Sequence, residues 1–454
     1  NVTGQINVNG SALSAAPEIT GTANGSITAN ETILVQADGK VSGVTATADA
    51  TTSPSNAVST DQNAYGPRYL RTAYDTANST AVSIWYEHTG NSGQSKLYCA
   101  AGTISGNSVS WGSKTQVYNG TARWPQVASL GSNKFLFTWA QDSNEGKGQI
   151  ATVSGTTVTL QGSAQDDNLS NKYNDSDLIA LSSTKAILVY AHGYNSEGYC
   201  KVVTISGNSV SFGSPTIISG SNAAGGWNRL AKISSTKFLW TSYRSPFVTV
   251  YGKIGEVTGS ATTATFGGLA TFIDNKGHAH TPIWDPIKEQ GAFFFNRTDG
   301  SYGDKPSALK WTFSGLNLTV NTSTITNALS QGVFGNFAPD VAIEEDSGIM
   351  FVTGRDQYDS EGDFFKVIQT GDTFTVSNSV VNFTNNSNIF TENDSMSCTV
   401  NLVGSKKFLI VWGTYISGGP NYVRDIIRQY PATDVTSENF IGFAAAGYSN
   451  GATA

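Results

Sequence analysis

One strand-like pattern recurs seven times along this chain, and it bounds the folds available to it. It reads SNKFLFTW at 132–139, STKAILVY at 183–190, STKFLWTS at 235–242 and SKKFLIVW at 405–412. Weaker relatives are STAVSIWY at 79–86, EQGAFFF at 289–295 and DSGIMFVT at 346–353. Successive copies start about 51–59 residues apart. Self-similarity at such a period is the mark of a repeat architecture, in which each unit buries its apolar face only against its neighbours.

Each copy is followed by a polar loop, a strand, a glycine turn and a further strand. The turn is plainest in TISGNSVSWG (103–112) and TISGNSVSFG (204–213), which differ at a single aromatic and stand two periods apart. Gly-Asn accepts the positive φ that a tight hairpin requires. The flanking residues alternate Ser or Thr with larger side chains, as half-exposed strands do. Each copy is also preceded by a strand, for example WPQVASL (124–130), DLIAL (177–181), NRLAKI (228–233), APDVAI (338–343) and MSCTVNL (396–402). One unit is therefore four short strands, named a to d. Seven such units predict an all-β, seven-bladed β-propeller of four-stranded blades. The recurring apolar strand b is expected between blades, and strands c and d at the outer edge. A β-helix needs a shorter period, and a string of sandwiches needs about 100 residues per domain.

Composition agrees. Only 13% of residues are charged, while 9 Trp, 18 Tyr and 22 Phe supply bulky strand formers. The net charge of −7 gives no basic stripe for nucleic acid. No run of about 18 apolar residues is present, so no membrane insertion is expected. No signal peptide is visible; the chain begins with Asn and is expected to be a fragment or a processed product. Cys99, Cys200 and Cys398 have no close sequence partners, and Cys99 and Cys200 occupy equivalent positions, so they read as small core residues and not as a disulfide framework.

Three regions are expected. Residues 1–63 hold a β-hairpin turning at Asp38-Gly39 within 26–44, then a polar linker over 45–63. Residues 64–434 form the propeller. Residues 435–454 begin a C-terminal β-module that stops at Ala454.

In a propeller the d–a connections and the b–c loops share one face, around the mouth of the central channel. Two sets of residues are candidates there. Before strand a stand Tyr65, Trp124, Tyr173, Trp227, His280 and Phe337, rings that could lie against the apolar faces of sugars. Bland packing between blades is the competing role for each. At the end of strand b stand Glu87, Gln141, His192, Arg244, Arg297, Arg355 and Thr414, a position whose chemistry varies while its scaffold repeats. Three consecutive blades offer Arg, which pairs with carboxylate, sulfate or phosphate. A solvated rim with local ion pairs is the plainer reading of that set.

Catalytic signals are weak. An arginine trio on a propeller raises a sialidase, but the Ser-x-Asp-x-Gly-x-Thr-Trp repeat of sialidases is missing. His192, His278 and His280 could serve a polysaccharide lyase, yet nothing in the sequence positions them. The acid-rich loops 142–146 and 356–363 could hold Ca²⁺ but lack EF-hand spacing and read as solvated turns. No cofactor is expected, and no catalytic or metal-binding residue is assigned.

The ends of the chain carry a resemblance. ENFIGFAAAGYSNGATA (438–454) resembles a short module near the C-termini of tail-fibre and related virion proteins of marine bacteriophages, and GSITANETILVQADGKVSGV (25–44) resembles a partner module of the same proteins. The propeller units, with their Lys-Phe-Leu strand and Ile-Ser-Gly turn, are similar to repeats in those proteins. The resemblance implies an extracellular virion appendage that contacts a host surface, with a host-surface glycan and other virion proteins as partners and with homo-oligomers, trimers among them, formed through the terminal segments. It carries over no catalytic residue. A spacer or cell-surface decoration without a ligand is the alternative, and a glycan-degrading enzyme a further one.

Overall fold

The computed structural model describes the strands and most turns between residues 53 and 429, with short strand segments at 7–8, 11–12, 32–35, 41–43, 50–51 and 442–443. Residues 54, 61–63, 90–93, 142–144, 168–172, 193–196, 220–225, 245–248, 274–276, 298–305, 323–338, 345–347, 356–361, 377–380, 383–397, 415–420 and the remaining terminal residues lie outside the description. The described residues contain no α-helix. They fall into two units, one made of 1–50 with 430–454 and one of 51–429.

In the larger unit the described strands form seven antiparallel blades, each in the order a-b-c-d. Strand a is Ala64–Asp75, Ala122–Gly131, Tyr173–Ser182, Gly226–Lys232, Gly277–Asp285, Asp340–Glu344 and Cys398–Gly404 in blades one to seven. Each strand a neighbours the strand a of the next blade, and the seventh neighbours the first, so these strands encircle the axis. The apolar strand b supplies the middle layer: Trp85, Phe137, Leu188, Trp240, Phe293, Val352 and Val411 are fully or almost fully buried. Alternate faces of each strand b pack into different inter-blade clusters, as a period of two dictates. The cysteines are free; Cys99 and Cys200 are buried and Cys398 is half-buried. Burial pushes all three thiols up, Cys398 to about 12, so they behave as small core residues.

The Ser-Lys motif and the glycine turn meet across blade boundaries. Lys134 Nζ donates to Gly207 O at 2.8 Å, Lys185 Nζ to Gly259 O at 2.7 Å, and Lys407 Nζ to Gly106 O at 2.8 Å. The first Lys of strand b thus caps the c–d turn of the following blade, and the last of these bonds runs from blade seven to blade one.

The ring closes with a strand from the stretch that reads as linker. Ser55–Ser59 pairs antiparallel with Tyr422–Gln429, the third strand of blade seven, through Tyr422↔Ser59 and Val423↔Val58. The polar composition of 45–63 concealed it: an outer strand needs few apolar groups, and among the described residues of this strand Val58 is the apolar side chain that is deeply buried. In the smaller unit Thr32–Val35 pairs antiparallel with Val41–Gly43 on one edge and with Gly442–Phe443 on the other, and the expected turn at Asp38-Gly39 lies outside the described residues. The two terminal segments therefore share one sheet.

Candidate functional site

Strand pairing brings one residue of each strand a to an equivalent place. Arg71, Gln126, Asp177, Arg229, Thr281, Asp340 and Thr399 stand opposite Ile84, Thr138, Val189, Thr241, Phe294, Thr353 and Val411, the fifth residue of strand b in every blade. All seven line one axial cavity. This position is polar in every blade and is filled by four residue types, Arg, Asp and Thr twice each and Gln once.

The axial residues reach from blade to blade. Arg71 Nε donates to Gln126 Oε1 at 3.2 Å, and Gln126 Nε2 donates to Ser176 O at 2.7 Å. Leu230 N donates to Asp177 Oδ2 and Val400 N to Asp340 Oδ2, both at 2.8 Å, and Thr281 Oγ1 donates to Pro339 O. Arg229 is pushed down to about 10, by burial first and by the charge of Arg71 second, and so stays cationic at neutral pH. Burial raises Asp177 and Asp340, opposed by both arginines and by their backbone amide bonds. The arrangement offers alternating donors and acceptors around the axis.

Two residues before the axial position, strand a bulges. Among the described residues, the residue there is left-handed in blades one to four: Tyr69 (φ 49°), Trp124 (φ 53°), Asp175 (φ 45°) and Trp227 (φ 50°). The pairing skips there, between Arg68 and Arg71, Arg123 and Gln126, Asn174 and Asp177, and Gly226 and Arg229. A non-glycine residue in this region is strained by roughly 1–2 kcal/mol. The next blade holds the bulge in place: Ser176 Oγ donates to Trp124 O at 3.1 Å, and Asn228 Nδ2 to Asp175 O at 3.0 Å. Three of the four strained residues are aromatic and half-buried. Tyr69 meets Trp124 edge-on with centroids 4.5 Å apart and stacks on Tyr86 at 5.3 Å, and Trp227 stacks on Tyr243 at 5.7 Å. These rings form a crown on the d–a side of the axial ring.

The sequence candidates fall unevenly on this frame. Trp124 and Trp227 are crown residues. Tyr69, not Tyr65, is the blade-one equivalent; counting from the d–a connection missed it because the bulge shifts the register. His280 is fully buried and stacked on Phe293 at 5.4 Å, so it fills a blade interior and not the mouth. Glu87 is also fully buried, accepting from Trp85 Nε1 at 2.9 Å and paired with Lys114 at 2.9 Å, because strand b of blade one runs on to Thr89. Thr414 is buried against Tyr422, and Gln141 donates to Glu145 at 2.6 Å. Tyr173 pairs with His192, Arg244 with Thr249, Arg297 with Gly277 and Arg355 with Gly362 at strand ends, but their side chains lie outside the described residues, as does Phe337. Most of the two acid-rich loops also lies outside; among the described residues no three His, Cys, Asp or Glu side chains converge as for a metal.

No protein-family model and no curated protein matches the chain. Similar solved structures include a protein of unknown function from Dyadobacter fermentans, with a TM-score of 0.49 and 11% identity over 84% of this chain and 99% of that one. The NanB sialidase from Streptococcus pneumoniae gives 0.45 and 9%, covering 82% and 69% of the two chains. The Aleuria aurantia lectin in complex with alpha-methyl-L-fucoside gives 0.40 and 11%, covering 70% and 96%. These identities are too low to align site residues one by one.

Proposed function

We propose that this protein is a virion appendage of the tail-fibre kind, and that its propeller recognises a glycan on the host surface without cleaving it. The observation that carries the reading is the crown. Among the described residues, backbone strain is kept at one equivalent position in blades one to four, and three of those residues are Tyr69, Trp124 and Trp227. Strain of this sort clusters at ligand-binding sites, and flat aromatic rings suit the C–H faces of sugars. Binding without turnover is favoured because Asp177 and Asp340 spend carboxylate oxygens on backbone amides that join neighbouring blades. The virion assignment is supported by the resemblance of residues 25–44 and 438–454. On this reading the terminal unit joins other virion proteins or further copies of the chain.

The test is adsorption of the purified chain to host cells and to their isolated surface polysaccharide. Wild type is expected to bind, with Trp124→Ala and Trp227→Ala each weakening binding at least tenfold at a temperature where circular dichroism shows the variant folded. Uniform failure to bind would favour a spacer. Shortening of the polysaccharide on incubation would favour an enzyme.

A further inference from the structure

Beyond the axial ring, on the side away from the crown, strand a of all seven blades lines a cavity of about 550 Å³. This volume lies within the usual range for small-molecule sites. Lys232 and Pro286 are lining residues that are also exposed, so the cavity reaches solvent where strand a turns into strand b. Its walls are mixed, with Ile179, Ile283 and Val341 among the apolar groups.

Two features of the wall point to an occupant. On blade seven, Thr399 Oγ1 and Asn401 Nδ2 are buried and make no hydrogen bond, and Thr399 is only 3% exposed. The equivalent Gln126 and Thr281 both satisfy themselves on the backbone of the next blade. Buried polar groups are costly to leave unmet, so donors left over at a cavity wall are matched by what enters it. The second feature is charge. Arg71, Arg229 and Lys232 face two carboxylates, Asp177 and Asp340. Both carboxylates are already engaged by backbone amides: Asp177 by Leu178 at 3.0 Å and Leu230 at 2.8 Å, and Asp340 by Val400 at 2.8 Å. Hydrogen bonds leave these charges in place, so three cations against two carboxylates give the lining a net positive charge, which favours an anion that brings acceptors.

We propose that the axial cavity is a second ligand site, separate from the crown, for one carboxylate-bearing molecule of about monosaccharide size, such as a uronic acid. Its carboxylate meets the cationic side of the ring, its oxygens accept from Thr399 Oγ1 and Asn401 Nδ2, and its C–H surface lies on the apolar wall.

Isothermal titration of the full chain with D-glucuronate, its neutral methyl ester and D-glucose tests this. Glucuronate is expected to bind at one site, at least tenfold more tightly than the ester or glucose. Thr399→Val and Asn401→Ala should each weaken it about tenfold, the loss expected for a hydrogen bond to a charged group, and Trp124→Ala should leave it unchanged. As a measurement free of variants, methyl-labelled threonine in the wild-type protein should show the Thr399 signal shifting with glucuronate and not with glucose. Absence of binding at millimolar concentration, equal affinity for acid and ester, or a Thr399 signal that does not move would each overturn the proposal. Loss of glucuronate binding in Trp124→Ala would place the ligand at the crown instead.

Discussion

Trp111 Nε1 donates to Asp425 Oδ1 at 3.2 Å, joining residues 314 positions apart and tying blade one to blade seven. Ser55 of the closing strand donates to the same carboxylate oxygen. This bond explains the single difference between the two near-identical decapeptides. Asp425 stands opposite Val411, the fifth residue of strand b in blade seven; its equivalent in blade two, opposite Thr138, is Gly148. Phe212 lies against Gly148 so closely that an added Cβ would come within 2.6 Å of its ring. The decapeptide aromatic therefore packs on the preceding blade, as Phe where it meets glycine and as Trp where it meets a carboxylate.

Trp111→Phe should destabilise the protein by about 1.5–3 kcal/mol at neutral pH, since it removes a hydrogen bond to a charged group. The effect should depend on pH. Burial raises the Asp425 carboxyl, and the bonds from Ser55 and Trp111 lower it. A carboxyl raised in the folded state makes stability greatest below the ordinary carboxylate range and lets it fall as pH rises through the folded value. Losing the Trp111 bond raises that value further and deepens the fall. Denaturant melts of both proteins should therefore diverge at pH 7 and converge towards about pH 4. A gap independent of pH would mean that the indole acts by packing alone.

Val58 is the buried anchor of the closing strand, clustered with Leu70, Trp85, Leu409 and Val423. Val58→Asp places an unpaired charge there and should cost about 3 kcal/mol or more. A chain beginning at residue 60 should expose the edge of Tyr422–Gln429 and associate through it. Light scattering together with a thermal melt would show both effects. A monomeric truncation with a wild-type melt would show that the ring closes without this strand.

The two glycines of the repeated decapeptide do different work, and alanine should separate them. Gly207 has φ +58° with nothing near its missing side chain, so Gly207→Ala should cost only about 1 kcal/mol of backbone strain. Gly213 has room for no side chain: a Cβ would lie 1.9 Å from Thr262 O of the next blade. Gly213→Ala forces the blades apart and should cost about 1–3 kcal/mol more than that. Chemical denaturation of the pair gives the order directly.

At Trp124 the strain itself is testable. Alanine and glycine both delete the ring, but only glycine tolerates φ 53° freely. Trp124→Gly should therefore be more stable than Trp124→Ala by about 1 kcal/mol, although glycine is ordinarily the poorer strand residue. Equal stability would mean that the bulge relaxes once the ring is gone. Both variants should lose glycan binding alike.

The blades were legible because their signals are local. The apolar strand b, the Gly-Asn turn and the alternating Ser and Thr of strands c and d all lie within one unit, and repetition makes each visible. The axial ring was less so. Arg71, Gln126 and Asp177 share no residue type, and the bulge before them breaks any count made from the d–a connection. A count made backwards would have found them, because each axial residue lies about eight or nine positions before the first residue of strand b. For Glu87 and His280, burial was decided by where the strands end and which face of the blade they occupy, and no spacing reports that.

The amino-acid pattern by itself determined that this chain builds four-stranded blades and how many of them, since strand period, turn chemistry and apolar spacing act over a few residues. Only the tertiary structure decided how the ring closes and what meets at its axis. Ser55–Ser59 becomes a strand because Tyr422–Gln429 presents an open edge to it, and seven polar residues of four types become one site because seven blades bring the same backbone position to a common centre.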